Sequence, residues 1–231
     1  MDERKPSFDP KIADQKPPQR FETFFEEPYA ELKRVLVTLA KDNQEILDLG
    51  SNTGNSEAIV DKLASGNHIT CVDINAQALQ KLKGRKLTRT SVEIIQADAN
   101  QYLAQAQENS ADLIILNATL HEINPPNEQA TYLEGLFGQI KRCLRVNGVV
   151  LIGDYYYPDM VPDEEVAAYM EQQRREIGHA DLREKFVKPD LLAQKASEYG
   201  FKTEYANEIQ AVKGIDRKYY IYVLRKEEKS D

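Results

Sequence analysis

The stretch Glu45-Ile46-Leu47-Asp48-Leu49-Gly50-Ser51-Asn52-Thr53-Gly54-Asn55-Ser56 restricts the fold of this chain more than any other. An apolar run that stops at glycine and small polar residues reads as a buried strand entering a tight turn and then a helix. Gly50 and Gly54 supply positive φ and let a ligand approach the backbone with no Cβ in the way. The amides that open the following helix point toward the same place. Such a turn forms a pocket of nucleotide type.

The spacing Gly50-x-x-x-Gly54 departs from the G-x-G-x-x-G pattern of dinucleotide-binding folds, which argues against a nicotinamide oxidoreductase. It resembles motif I of the class I S-adenosylmethionine-dependent methyltransferases, an acidic residue followed by glycines at alternate positions. Asp48, Gly50 and Gly54 match, and Asn52 stands where the middle glycine is usual, a residue that also tolerates left-handed backbone. The resemblance implies a Rossmann-like α/β fold: a seven-stranded, mostly parallel sheet with the last strand antiparallel and helices on both faces. It also implies that Asp48, Gly50, Ser51, Asn52 and Gly54 hold S-adenosyl-L-methionine, with S-adenosyl-L-homocysteine as product.

The later strand ends follow the same pattern. Residues 67–74 read as a strand closing in Asp73, about 20 residues beyond the turn, where an acid accepts bonds from ribose hydroxyls; the resemblance assigns Asp73 to motif II, with Ile74 beside it. Residues 91–97 alternate as a strand, followed by Asp98-Ala99-Asn100. By resemblance to motif III, Asp98 bonds the adenine amine and the Ala99 amide a ring nitrogen, while Asp is equally a favoured helix N-cap. Residues 111–117 (Ala-Asp-Leu-Ile-Ile-Leu-Asn) carry an unbroken apolar run from Leu113 to Leu116, as expected of a central parallel strand covered on both faces. They end at Asn117, on the ligand edge of open α/β sheets and beside the expected cofactor. The loop 118–123 carries a Leu120-His121 pair, common in small-molecule methyltransferases, and Asn117 lacks the following proline of enzymes that methylate base amines. His121 is a candidate site wall and general base, the alternative being a histidine that holds its own loop.

The remaining elements complete the expected sheet. Residues 128–144 form a helix, 149–154 a fifth strand, 188–200 a helix, and 201–209 with 217–224 the final antiparallel pair. Between strand five and the next helix, residues 155–187 form a lid-like insertion containing Tyr155-Tyr156-Tyr157 and a helix from about 163 to 177, whose start is signalled by Pro162 and three acids. Tyr155 and Tyr156 are either at the mouth of the acceptor pocket, Tyr155 also as a catalytic candidate, or pack the insertion onto the sheet. Ahead of the core, residues 21–42 read as an amphipathic cap helix whose Phe25 and Tyr29 either touch ligand or pack, and residues 1–20, with little to bury, as a mobile arm. His179, near the end of the insertion's helix, reads as a helix-terminal cation, and residues 21–231 as one domain.

Composition narrows the partners. A net charge of -8 argues against bulk affinity for nucleic acid or anionic membrane. Two cysteines suggest neither a disulfide framework nor a zinc site, and the acids around Asp154 and Asp159 are too few for a divalent metal. With no signal-like or membrane-length apolar run, the expectation is a cytoplasmic protein, no metal, and a small-molecule methyl acceptor at O, N, S or C. The open alternatives are a tRNA or protein methyltransferase, in which the basic run Lys81, Lys83, Arg85, Lys86, Arg89 would cluster with Arg183, Lys185 and Lys188, and a cofactor-binding protein with other chemistry or a regulatory role. Oligomeric state is not legible in the sequence.

Overall fold

The computed structural model describes residues 26–125, 128–177, 183–211 and 216–227. Phe25, His179 and the 1–20 arm lie outside the described residues. Seven strands form one sheet: β1 (Glu45–Leu49), β2 (Asn67–Asp73), β3 (Thr90–Gln96), β4 (Ala111–Asn117), β5 (Leu144–Tyr156), β6 (Phe201–Gln210) and β7 (Lys218–Lys226). Their order is β3-β2-β1-β4-β5-β7-β6. β1 to β5 pair in parallel, and β7 runs antiparallel to both β5 and β6. The order reverses at β1 and β4, so the carboxyl ends of these two strands flank the crevice in which such sheets bind ligands.

The helices are α1 (Glu26–Leu39), α2 (Asn55–Leu63), α3 (Ala76–Lys83), α4 (Ala99–Gln105), the short α5 (Leu120–Ile123), α6 (Gln129–Cys143), α7 (Asp163–Ile177) and α8 (Pro189–Glu198). They split between two cores, one on each face of the sheet. Leu113 and Ile115 of β4 pack with Leu32 and Leu36 of α1, Ile59 of α2 and Leu79 of α3. The alternate residues Ile114 and Leu116 pack with Leu103 of α4, Phe137 of α6 and Leu192 of α8. The continuous apolar run of β4 is thus the period-two strand pattern with both faces covered.

α1 ends at Leu39, short of the residue 42 expected from sequence, and its inward stripe is Pro28, Leu32, Val35 and Leu36. A buried acid fixes it in place: Glu31 accepts hydrogen bonds from Tyr205 Oη (2.7 Å) and Asn207 Nδ2 (2.9 Å) of β6 and from Arg34 of its own helix. No helix among the described residues is long and apolar enough to cross a membrane.

Candidate functional site

The turn after β1 has the backbone that its residues require. Gly50, Asn52 and Gly54 have φ of 78°, 48° and 84°, so the asparagine does adopt the left-handed conformation expected of a glycine substitute. The Gly50 and Ser51 amides donate to Val72 O at 2.8 and 3.1 Å, which fastens the turn to the end of β2. A Cβ on Gly50 would overlap the Thr119 side chain, and one on Gly54 would overlap Leu82. Glycine is needed at both positions for conformation and for space. No side chain caps α2. Beneath the turn lie Asp48 and Ser51, and from the first turn of α2, Glu57, which is fully buried. One polar atom on each, Asp48 Oδ2, Ser51 Oγ and Glu57 Oε2, meets no hydrogen-bond partner among the described residues. A cradle of left-handed glycines over orphaned polar atoms fits a bound polar cofactor.

Asp73 stands at the end of β2, half-buried, with its carboxylate drawn into the turn. Oδ2 accepts the Asn52 amide at 2.7 Å and Oδ1 the Asn75 amide at 2.8 Å. The next side chain, Ile74, is 63% exposed, unusual for isoleucine and suited to covering a flat ligand ring. Asp73 is in register with Gln96 of β3, which brings Asp98 to the same edge two residues later. Asp98 caps α4, accepting the Gln101 amide at 3.0 Å, and Ala99 is buried at the first helical position.

On the other side of the crevice, β4 and β5 assemble a second cluster. Asn117 is in register with Gly153, and its Oδ1 accepts the Tyr219 hydroxyl at 2.6 Å. Ala118 then adopts φ of 53°, a left-handed conformation uncommon for alanine, as the chain leaves the strand. This turn delivers His121 onto Asp154, the two being 33 residues apart in sequence. The His121 amide donates to Asp154 Oδ2 at 2.7 Å, and the ring Nδ1 lies 2.6 Å from Asp154 Oδ1. Oδ1 also accepts the Tyr155 amide at 2.7 Å. With the carboxylate oxygen accepting, Nδ1 is the donor in this contact, the tautomer that places the lone pair of a neutral ring on Nε2. Glu122 Oε1 is 3.6 Å from Nε2. Phe186 stacks on the imidazole at 5.1 Å between centroids, and Tyr155 meets it edge-on at 6.2 Å.

The insertion closes over this pair around a cation that the sequence did not flag. Arg217, 5% exposed, lies 4.6 Å from the Tyr155 ring centroid, 5.0 Å from Phe186, 5.7 Å from Tyr157 and 6.0 Å from Tyr169 of α7. Arg183 secures the same segment, donating to Val161 O at 3.0 Å, Pro158 O at 3.1 Å and Asp163 Oδ1 at 2.6 Å.

Two candidates fall away from this cluster. Tyr156 points to the opposite face from Tyr155, as adjacent strand residues must. Its hydroxyl bonds Glu208, its ring packs 6.0 Å from Tyr220, and burial beside that carboxylate raises the phenol above its ordinary range. Tyr29 lies off the buried stripe of α1 and is 42% exposed. Asp154, Glu57, Phe186 and Arg217 were missed. Asp154 had a visible signal, an acid closing a strand at the ligand edge, whereas the others had none.

The model of a methyltransferase domain family matches residues 40–216. No curated protein matches the chain. Among solved structures, a putative sarcosine dimethylglycine methyltransferase from Galdieria sulphuraria is 16% identical with a TM-score of 0.61, over 89% of this chain and 86% of that one. A SAM-dependent methyltransferase from Aquifex aeolicus is 19% identical with a TM-score of 0.61, over 94% and 98%. Phosphoethanolamine N-methyltransferase 2 from Haemonchus contortus, in complex with phosphomonomethylethanolamine and S-adenosylhomocysteine, is 16% identical with a TM-score of 0.65, over 90% of this chain and 56% of that one. These likenesses extend to the fold, the strand order agrees with it, and the family match spans most of the chain: it belongs to the class I S-adenosylmethionine-dependent methyltransferases.

Proposed function

We propose that this enzyme methylates a small-molecule acceptor seated over the ends of β4 and β5, with His121 as general base and Asp154 as the residue that positions it. The observation that carries this reading is the buried His121–Asp154 pair, 2.6 Å apart, at the strand ends beneath the insertion. In this reading Asp48, Gly50, Ser51, Asn52 and Gly54 hold the amino-acid end of the cofactor, Asp73 the ribose, and Ile74, Asp98 and Ala99 the adenine. Asn117 lies between donor and acceptor. The cofactor, when bound, supplies an electrophilic methyl group on a sulfonium. The protein then has to align the acceptor, exclude water and hold its proton. Asp154 fixes the tautomer that leaves Nε2 basic, and an acceptor N–H, O–H or S–H within its reach gives up its proton there. Residues 155–187 serve as the lid, within a single domain spanning 21–231.

A small acceptor is favoured over tRNA because several of the cations that would build a nucleic-acid surface already have acidic or carbonyl partners. Arg183 pairs with Asp163, Lys188 with Asp159, and Lys185 lies 3.8 Å from Glu122. Arg85 bonds Thr53 O and Asn55. The basic run spans the last turn of α3 and the loop into β3, whereas the insertion follows β5, with β2, β1 and β4 between. The names of two similar structures contain amines, so primary and secondary amines, which carry an N–H for His121 to receive, are the first acceptors to try. Incubation with labelled methyl donor and separate metabolite, tRNA and protein fractions tests the reading. Label is expected in the metabolite fraction, and label in tRNA alone would overturn it.

A further inference from the structure

Asp48 and Glu57 form a buried acid pair that the methyl-transfer chemistry does not require. Asp48 is 2% exposed and Glu57 0%, and each keeps one carboxyl oxygen without a partner among the described residues, as does the Ser51 hydroxyl above them. Glu57 Oε1 is met by the Cys71 thiol at 2.9 Å. The groups facing Asp48 are Glu57, Ser56 and Asp73; those facing Glu57 are Asp48, Cys71 and Arg85. Arg85 is the one cation in that set, and its guanidinium is committed to Thr53 O and Asn55 Oδ1. Two ionised carboxylates buried together with no dedicated counter-ion among the described residues repel each other and lose hydration, so such pairs retain one proton. The titration then belongs to the pair rather than to either residue.

S-adenosylmethionine carries positive charge on an ammonium and a sulfonium, and S-adenosylhomocysteine keeps the ammonium as its cationic group. A cation arriving over the Gly50–Gly54 turn supplies the counter-charge that the niche lacks. We infer that Asp48 and Glu57 share one proton in the free protein and release it to solvent when cofactor binds, so that Glu57 together with Asp48 sets cofactor affinity and its pH dependence. The balance is simple: protonated pair plus cationic cofactor gives doubly ionised pair with bound cofactor plus one solvent proton. This inference rests on the cofactor site lying at this turn.

Calorimetric titration of the full chain with S-adenosylhomocysteine and with S-adenosylmethionine, in two buffers of different ionisation enthalpy near pH 7, counts the protons directly. The expected result is a release approaching about one proton per site, with log affinity rising with pH at the corresponding slope. Glu57→Gln is expected to bind cofactor with that release and slope at least halved, because the second carboxylate that holds the shared proton is gone. The two forms bind the same ligand, so any proton exchanged by the ligand's own amine cancels in the comparison. Should Glu57→Gln fold poorly, Asp48→Asn replaces it, and the two-buffer result on the unaltered chain stands alone. Binding with equal heats in the two buffers, or release undiminished in the variant, overturns the inference. No binding of either ligand would instead defeat the cofactor site itself.

Discussion

Each oxygen of the Asp73 carboxylate already accepts one backbone amide, from Asn52 and from Asn75, and retains a further lone pair for a ligand hydroxyl. The side chain therefore shapes the turn and, in the proposed cofactor site, keeps acceptor capacity for a ribose hydroxyl. Asp73→Asn keeps the volume but loses the charge-assisted bonds, and it is expected to weaken S-adenosylhomocysteine affinity by about 1–3 kcal/mol by calorimetry. Unchanged affinity would remove Asp73 from the site. His121 makes a different prediction. His121→Ala should lower kcat by about 100-fold or more while cofactor affinity holds, and Asp154→Asn should lower kcat too, because an amide no longer enforces the Nδ1–H tautomer. The acid limb of the pH–rate profile should vanish in His121→Ala. A limb that survives would assign His121 to holding the loop between β4 and α5.

Among the elements, the insertion 155–187 depends on a residue from a distant part of the chain. Tyr155, Tyr157, Tyr169 and Phe186 come from β5, its exit, α7 and the segment before α8, and they converge on Arg217 at the start of β7. Partly desolvated cation–π contacts are worth about 0.5–2 kcal/mol each, and they tie α7 and the segment before α8 to the paired ends of β5 and β7. Arg217→Met is expected to speed limited proteolysis within 155–187 and to raise the acceptor KM more than the cofactor Kd. Cleavage at the original rate would show that apolar packing suffices. The same comparison explains what sequence could reveal. The turn and strand ends proposed for the cofactor were readable because their geometry is local: left-handed turns require Gly50, Asn52 and Gly54, and strand ends place Asp73 and Asp98. The acceptor half was not, because His121 meets Asp154 only through the Asn117–Gly153 register, and Arg217 meets Tyr155 only through the antiparallel return of β7. Tyr155 and Tyr156 looked equivalent in the sequence until the pleat sent them to opposite faces.

For the whole molecule, acids fall into two groups that act on stability in separate pH ranges. In Glu31, burial opposes the bonds from Arg34 and Asn207, which prevail and lower its pKa, and the Asp61 carboxyl is lowered by backbone amides that outweigh its desolvation. Such groups give stability that is present above the unfolded carboxyl values and lost as pH falls through the folded ones. Asp48 has the opposite sign. Burial first, and then the charge of Glu57, raise it well above the ordinary carboxyl range, and burial raises Glu57 as well. Their contribution is complete below the unfolded value near 4 and is lost as pH climbs through the folded value, since ionising either acid in its niche becomes progressively unfavourable. The two groups therefore separate between about pH 5 and 8, where the lowered acids are fully ionised in both states. Over that window, unfolding free energies of the cofactor-free chain are expected to carry a downward component from the pair, up to about 1.4 kcal/mol per pH unit for one proton. Asp48→Asn, which mimics the protonated acid, should flatten that component. Denaturant unfolding at four or five pH values in the window measures it, and identical slopes in the two proteins would mean that the pair is ionised in the folded state and balanced by a charge elsewhere.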